Sequence, residues 1–283
     1  MRGTLTGLSA FLRNNPMGAF GFALLAVILA AVLLGPDLYQ VSPTRLNILR
    51  RLSPPTALNW FGTDSLGRDV LARVLHGGRI TLIIGLGVVA LAFMVGVTAG
   101  MVAGYVGGWV DSAIMRFVDA MLSFPSLVLA IALAAAFGPS LENAMLAVAI
   151  TLAPQFARVA RAQAVSISVK PYVEAAVTLG LSHRRILTRY IFANGAGPLL
   201  VQATLGLGSA ILQTASLGFL GLGAQPPTAE WGADVSLNLE FVRGSPWVAL
   251  APGMGILLAV IAFNLIGDAL GDWLDPRRRT EID

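Results

Sequence analysis

Long apolar segments separated by short polar stretches dominate the hydropathy pattern of this chain of 283 residues. A helix that crosses a membrane requires about 20 consecutive, mostly apolar residues. Six segments meet or approach that length, so the pattern predicts an all-α membrane protein with six transmembrane helices. The predicted spans are Met17–Gly35, Ile80–Ala103, Ser112–Phe137, Ala144–Ala160, Gly197–Gly223 and Leu250–Gly267.

The composition agrees with a bilayer as the surrounding solvent. Hydrophobic residues make up 56% of the chain and charged residues only 12%, with a mean hydropathy of +0.76, whereas soluble domains carry about 25% charged residues. The absence of cysteine excludes a disulfide scaffold, a Cys nucleophile and a thiolate metal site, and two histidines are too few for a His-built one. In a membrane protein the net charge of +4 serves topology and contact with anionic lipid, so we expect no nucleic acid partner.

The basic residues also predict the orientation. With the N-terminus in the cytoplasm, twelve of the 19 Lys and Arg residues face the cytoplasm, the side that usually carries the excess. The first external loop argues against this orientation, but the middle of the chain and the C-terminal DPRRR favour it. We therefore predict cytoplasmic ends at 1–16 and 273–283, a first span at 17–35, a periplasmic loop at 36–79 and a core of five spans at 80–272.

The predicted periplasmic loop carries apolar residues at helical spacing from Arg68 onward, with charged residues on the other faces. This pattern predicts an amphipathic helix that lies at the membrane interface before the second span. Asp64, Asp69 and His76 are an alternative metal site, but carboxylates next to arginines are more commonly ion-paired. We therefore predict no metal.

The last predicted external loop carries tryptophan near both ends. Trp231 and Trp247 suit an interfacial aromatic belt, in which amphipathic rings lie at the level of the headgroups.

The stretch PYVEAAVTLGLSHRRILTRYIFAN, residues 171–194, is a basic helix-turn-helix between two predicted spans. Pro171 suits the first turn of a helix, Gly180 the left-handed position that ends it, and Ser182 the N-cap of a second helix, His183–Phe192. A DNA-binding helix-turn-helix would have to stand clear of the membrane, and the flanking spans leave little room for that. The residues alone leave two alternatives: an amphipathic loop on lipid headgroups, or an element that docks into a groove on a soluble partner.

Side chains that could carry out chemistry are scarce. The chain contains neither a G-x-x-x-x-G-K-[ST] phosphate-binding loop nor a G-x-S-x-G nucleophile elbow, so we expect no catalytic residue. Arg116 and Asp119 are three residues apart and can pair on one helix. Polar residues within the predicted spans either line a path or gate, or only join helices. These residues are Gln155, Gln202, Gln213 and Asn264.

Two further classes of membrane protein stay open on the residues alone. A proton-coupled secondary transporter needs ionisable residues spread across the depth of the membrane, and the second and fifth predicted spans have none. A membrane scaffold that transports nothing would leave the polar residues within the spans unexplained.

Residues 174–193 resemble the EAA loop, E-A-A-x3-G-x9-I-x-L-P, of permease subunits of bacterial ATP-binding cassette importers. Four further stretches are similar to the C-type permeases of the dipeptide, oligopeptide and nickel branch: FGTDSLGRDVLARVLHGGR, AGYVGGWVDSAIMRFVDAMLSFPSLVLAI, SLGFLGLGAQPPTAEWG and AFNLIGDALGDWLDP. That branch often has Arg where this chain has Gly271. Glu174, Ala175, Ala176 and Gly180 match the loop motif, whereas Tyr190, Phe192 and Ala193 replace its Ile, Leu and Pro.

The resemblance implies the type I importer permease fold, with six transmembrane helices and a cytoplasmic coupling loop at 161–195. It implies that the chain is not an enzyme and holds no cofactor, because partner ATPase subunits bind ATP and magnesium. The residues implied to couple to the ATPase are Glu174, Ala175, Ala176, Gly180, Leu181 and Ser182.

The same resemblance implies the partners and the location. The expected partners are a second homologous permease, two ATPase subunits, a periplasmic or lipid-anchored solute-binding protein near the loop 224–247, and membrane lipid. The expected location is the bacterial inner membrane, crossed several times. Di- or oligopeptides are the expected solute, while glutathione, opines and nickel chelates also occur in the branch.

Overall fold

The described part of the structure, a computed structural model, covers residues 15–274, and every regular element in it is helical. Five helices are long and apolar enough to cross a membrane, and a sixth span results if a bent pair of shorter helices is counted as one. The predicted N-terminal and C-terminal cytoplasmic segments lie almost wholly outside the described residues. The helices are α1 Pro16–Leu38, α2 Val70–Val106, α3 Gly108–Leu122, α4 Ser126–Phe137, α5 Leu141–Ser168, α6 Pro171–Thr178, α7 His183–Phe219, α8 Trp231–Asn238 and α9 Trp247–Leu274.

The third predicted span is not one straight helix. Helices α3 and α4 meet at an angle of 92° across the residues between Leu122 and Ser126. Pro125 explains the break, because proline has no N–H to donate and biases the residue before it away from helical geometry. The prediction of a single continuous helix over Ser112–Phe137 is therefore wrong.

Helix α2 includes the amphipathic helix that the sequence predicted as a separate element. It begins at Val70, after Asp69, whose carboxylate accepts a hydrogen bond from the Ala72 N–H at 2.7 Å. From there it runs for 37 residues without interruption. Residues 70–79 are thus continuous with the helix of the second span, and residue 79 falls inside that helix.

Small residues bring α2 and α5 into close contact along the centre of the bundle. A Cβ atom added to Gly100 would lie 2.1 Å from the carbonyl oxygen of Ala157, and one added to Gly96 would lie 2.2 Å from that of Ala153. Helices within a membrane associate through such close packing, because lipid tails are as apolar as the side chains and supply no hydrophobic drive.

The bundle has two distinct ends. The start of α1 and the end of α9 lie at the same end, since a Cβ added to Gly21 would meet Leu265 at 2.8 Å. The junction of α6 and α7 is also there, since a Cβ added to Gly197 would lie 3.6 Å from Leu274. We call this the turn end and the opposite end the cap end.

A buried cluster of charged residues closes the cap end. The Arg73 side chain is only 3% exposed, and its guanidinium donates hydrogen bonds to the Asp234 carboxylate and to the backbone carbonyls of Pro43, Pro227 and Thr228. One arginine thus joins the first loop, α2, the loop after α7 and α8. We call Asp64, Arg68, Asp69, Arg73, Glu230 and Asp234 the polar cap.

The two aspartates of the alternative metal site accept hydrogen bonds from other groups of the protein. Asp64 accepts hydrogen bonds from the Arg68 side chain at 2.6 Å and from the Leu66 N–H at 2.9 Å. Asp69 accepts from the Tyr39 hydroxyl at 2.9 Å, and burial together with this bond raises the pKa of Tyr39 to about 12. Among residues 15–274, no three His, Cys, Asp or Glu side chains are grouped so as to hold a metal ion.

Glu230 and Trp231 attach α8 to α2. The Glu230 carboxylate accepts hydrogen bonds from the N–H groups of Gly232 and Ala233 at 2.9 and 2.8 Å, and burial raises the pKa of this carboxyl. Trp231 is 2% exposed and donates its indole N–H to the Val74 carbonyl at 2.9 Å. The expectation of an interfacial aromatic belt is therefore wrong for Trp231, which packs inside the protein.

Replacement of Arg73 tests the polar cap. An Arg73→Gln variant leaves the buried Asp234 carboxylate without its guanidinium, and removing one partner of a buried ion pair costs about 3–5 kcal/mol. We expect a clearly lower thermal unfolding midpoint for the purified protein in detergent. Arg243→Gln, which changes an exposed arginine at the same end, is the matched control and should unfold like the parent. Equal midpoints for both variants would contradict this role of Arg73.

Candidate functional site

The turn between α6 and α7 has the geometry that the sequence predicts around Gly180. Gly180 adopts a φ of 72°, a left-handed conformation that glycine enters without a steric penalty. The Leu181 N–H donates to the Ala176 carbonyl at 3.1 Å, and the Gly180 N–H donates to the Val177 carbonyl at 2.9 Å. These two bonds form a Schellman motif that ends α6 and reverses the chain.

The faces of α6 divide the predicted coupling residues into two groups. Val173 and Ala176 are buried against the rest of the bundle, with Ala176 only 2% exposed. Glu174, Ala175 and Gly180 are exposed, and the Leu179 side chain beside them is 79% exposed. Ala176 therefore faces its own protein, whereas Ala175 faces away from it.

Ser182 occupies the predicted N-cap position but caps without its side chain. Its backbone is extended, with φ −62° and ψ 144°, and its hydroxyl makes no capping hydrogen bond. The Ser182 carbonyl instead accepts hydrogen bonds from the N–H groups of Arg185 and Ile186 at 2.9 and 3.1 Å. Leu181 beside it is half-buried and packs against the main hydrophobic core.

The predicted short second helix does not exist as a separate element. The chain continues from His183 to Phe219 as one helix of 37 residues, with a π-helical segment at Ile186–Phe192. Ala193 has φ −61° and ψ −37°, so the backbone stays helical where the family motif has proline. The π-helical segment carries the irregularity instead, and such segments are frequent at functional sites.

Two further contacts hold the turn end of the bundle. The Tyr105 hydroxyl, near the end of α2, lies 2.8 Å from Nδ1 of His183, the first residue of α7. Arg161 on α5 donates to both carboxylate oxygens of Asp111 on α3, at 2.5 and 2.6 Å. The first contact ties the start of α7 to α2, and the second ties α3 to α5.

Asp119 has a different partner from the one that the sequence predicted. It accepts a hydrogen bond at 2.7 Å from Arg158 on α5, and both side chains are more than half exposed. The expected pair with Arg116 within one helix is therefore wrong. The ion pair joins two helices instead.

Hydrogen bonds among the described residues join only two of the four predicted path residues. Nε2 of Gln202 lies 3.4 Å from Oε1 of Gln155, a long contact between α7 and α5. Oε1 of Gln213 is buried and has no hydrogen-bond partner within the described residues, and Asn264 is exposed on the surface of α9. The structure thus brings Gln155 and Gln202 together, and no hydrogen bond among the described residues links Gln213 or Asn264 to them.

Sequence reasoning missed the polar cap as a unit. Its ion pair between Arg73 and Asp234 joins residues 161 positions apart. The only available signal was the unusual concentration of charge in two loops of a chain that is otherwise poor in charge, and this signal did not indicate which residues pair.

Comparison with known proteins identifies the chain. Residues 96–280 match the family described as binding-protein-dependent transport system inner membrane component. The chain is 46% identical to the probable D,D-dipeptide transport system permease protein DdpC of Escherichia coli, over 94% of this chain and 89% of that one. It is 42% identical to the dipeptide transport system permease protein DppC of Alkalihalophilus pseudofirmus, over 95% and 88%.

A third relative and a solved structure agree with these matches. The glutathione transport system permease protein GsiD of Pectobacterium atrosepticum is 41% identical over 80% of this chain and 75% of its own. An inward-facing structure of the MetNI methionine ABC transporter matches 69% of this chain and 93% of its own with a TM-score of 0.56, and at 18% identity this likeness shows the fold alone. The chain therefore belongs to the family of binding-protein-dependent transport system inner membrane components, and it is a multi-pass inner-membrane permease subunit of an ATP-binding cassette transporter, not itself an enzyme.

Proposed function

We propose that the chain forms half of a path by which di- or oligopeptides enter the cell, driven by ATP hydrolysis in partner subunits. The exposed turn of α6 and Gly180 at one end of the bundle carries this proposal, since it offers a small, rigid surface for docking to a motor subunit. Peptides are the favoured solute because two of the relatives above are named for dipeptides and one for glutathione, a peptide.

The proposed assembly contains a second homologous permease, which supplies the other half of the path. Two ATPase subunits bind ATP and magnesium and dock against the turn end. A periplasmic or lipid-anchored binding protein delivers the solute at the cap end. The scarcity of chemically active side chains in this chain supports a division in which other subunits carry out hydrolysis and solute recognition.

The coupling step is proposed to begin at the exposed face of α6. Glu174, Ala175 and Leu179 enter a groove on the ATPase, where the short Ala175 side chain allows close approach. Closure of the ATPases then moves α6. The buried residues Val173 and Ala176 transmit the movement to the bundle, because close-packed interiors are nearly incompressible.

The turn passes the same movement to α7. The Schellman hydrogen bonds hold Gly180 and Leu181 against the end of α6, and α7 begins three residues after Gly180. Since α7 continues into the bundle as one helix, movement of the turn displaces the span itself. This displacement is proposed to switch the path from inward-facing to outward-facing, and reopening after hydrolysis releases the solute inward.

The path is proposed to follow the side of the bundle that carries Gln155 and Gln202. Amide side chains both donate and accept hydrogen bonds, as the backbone of a peptide solute does. The unpaired buried Oε1 of Gln213 and the exposed amide of Asn264 are further candidates for the path or its gate.

The turn end is proposed to face the cytoplasm, together with both chain termini. Residue 15, the α6–α7 turn and Leu274 lie at one end of the bundle. All three must therefore face the same side of the membrane. Counted along the sequence, twelve of the 19 Lys and Arg residues fall on the side that holds the termini, and this excess favours the cytoplasm.

Introduced cysteines test the orientation, because the chain has none of its own. A membrane-impermeant maleimide should label Ala57→Cys, which is exposed at the cap end, on intact spheroplasts. It should label Ser182→Cys, exposed at the turn end, only in inverted membrane vesicles. The reverse labelling pattern would show that the turn end faces outward.

Replacement of Ala175 tests the coupling surface. In Ala175→Trp a large side chain occupies the proposed contact, so we expect ATP-driven uptake to fall at least tenfold while the amount of protein in the membrane stays unchanged. Ala57→Trp, which adds the same bulk to an exposed alanine at the cap end, is the control for the substitution itself. Uptake by Ala175→Trp at the level of the parent would rule out the proposed docking of α6.

Reconstitution tests the source of energy. The purified chain is placed in vesicles alone or with the proposed second permease, ATPase and binding-protein subunits, and uptake of a radiolabelled dipeptide is measured. We expect uptake only from the full assembly with ATP. Uptake by this chain alone, driven by a pH gradient and indifferent to ATP, would instead support a proton-coupled secondary transporter.

A further inference from the structure

An apolar groove runs along the turn-end half of the bundle, between α2 and the π-helical segment of α7. Its volume is about 520 Å³. The side chains that line it are almost wholly apolar, and several are exposed at the surface of the described protein. They include Phe93, Met94, Val97, Met101, Leu187 and Phe192.

One end of this groove is basic. Arg184 and Thr188 line the groove and also line an adjoining polar surface that carries Arg185 and Arg189. All three arginines are exposed, and within residues 15–274 none of them forms an ion pair. The apolar groove therefore ends beside three positive charges that form no ion pair within the described part of the protein.

Two other apolar grooves of the bundle lack this feature. One, of about 580 Å³, lies between α2, α3 and α5, and another, of about 610 Å³, lies between α4, α7, α8 and α9. Neither is lined by a charged side chain. They suit any lipid tail or neighbouring helix, whereas the groove at Arg184 has an apolar part and a cationic part in the order found in an amphiphile.

We propose that this groove binds an anionic phospholipid. One acyl chain lies against Met94, Val97 and Phe192, and the headgroup phosphate lies against the Arg184 guanidinium. Basic pockets between membrane helices select anionic headgroups, and the planar fork of arginine matches the oxygens of a phosphate. A spanning helix of a second permease is a poorer match, because a helix surface of mixed or apolar residues would leave three arginines without counter-charges.

The bound lipid contacts the part of α7 that departs from regular α-helix. Arg184 and Thr188 flank the start of the π-helical segment, and Phe192 ends it. A lipid in the groove would therefore hold this segment against Phe93 of α2. The Phe93 ring already lies edge-on to the Phe192 ring, with the two ring centroids 6.5 Å apart. The lipid would add to the contacts that fix the start of α7.

Native mass spectrometry of the purified full chain in detergent tests the proposal without any transport assay. The probes are phosphatidylglycerol and phosphatidylcholine with identical acyl chains, titrated onto delipidated protein. We expect preferential retention of phosphatidylglycerol. Arg184→Gln should weaken its binding about fivefold, since one arginine near an anionic surface contributes about that factor. Arg243→Gln, which removes an exposed arginine at the cap end, should bind as the parent does.

A second variant tests the apolar part of the site. Thr98 is exposed within the groove, so Thr98→Trp should fill it and weaken the binding of both lipids, even if Arg184→Gln proves unstable. Equal binding of the two lipids by the parent, or phosphatidylglycerol binding unchanged in both variants, would overturn the proposal. So would disulfide crosslinking, in the full assembly, of Thr98→Cys to a cysteine on a second permease, because a protein helix would then occupy the groove. Since the measurement is of lipid binding alone, its failure would leave the proposed import function untouched.

Discussion

A bilayer offers no hydrogen-bond partner to a polar group that leaves a helix, and this constraint accounts for where polarity lies in the molecule. The spans satisfy their backbone groups internally, so charge collects at the two ends. At the cap end a cluster of charged side chains is buried around Arg73 and Asp234, next to exposed arginines such as Arg243. At the turn end most are exposed, and three arginines of α7 have no acidic partner within the described residues. The two ends thus differ within the described residues: the cap end holds a buried charged cluster, and the turn end does not.

Burial at the cap end and exposure at the turn end suit different tasks. Breaking the Arg73–Asp234 pair would leave a charge stranded out of water, so the first loop, α2 and α8 are held as one unit. By contrast, α6 has a buried face and an exposed face within eight residues. Val173 and Ala176 anchor it, while Ala175 and Leu179 remain free for contact. An element that transmits movement needs both properties, because an unanchored contact would slide without displacing the spans.

Helix α7 connects the two proposed sites at the turn end. Its first residues follow the coupling turn, and its π-helical segment forms one wall of the groove proposed for lipid. The family motif has proline at the end of this segment, where this chain has Ala193 and a continuous helix. The π-helical segment before Ala193 is the departure from regular α-helix at this point, and Pro198 lies within α7 five residues further on.

The sequence by itself determined the features that depend on neighbouring residues: the long apolar runs, the left-handed turn at Gly180, and the motif that identified the family. These follow from segment length, backbone sterics and fixed spacing, which are local properties. Packing alone decided that residues 70–79 extend α2, that Trp231 is buried, and that Ala176 faces inward while Ala175 faces outward. It also decided that Arg73 meets Asp234 across 161 positions. Such pairings depend on how helices distant in sequence come together, and hydropathy and spacing along one chain carry no record of that arrangement.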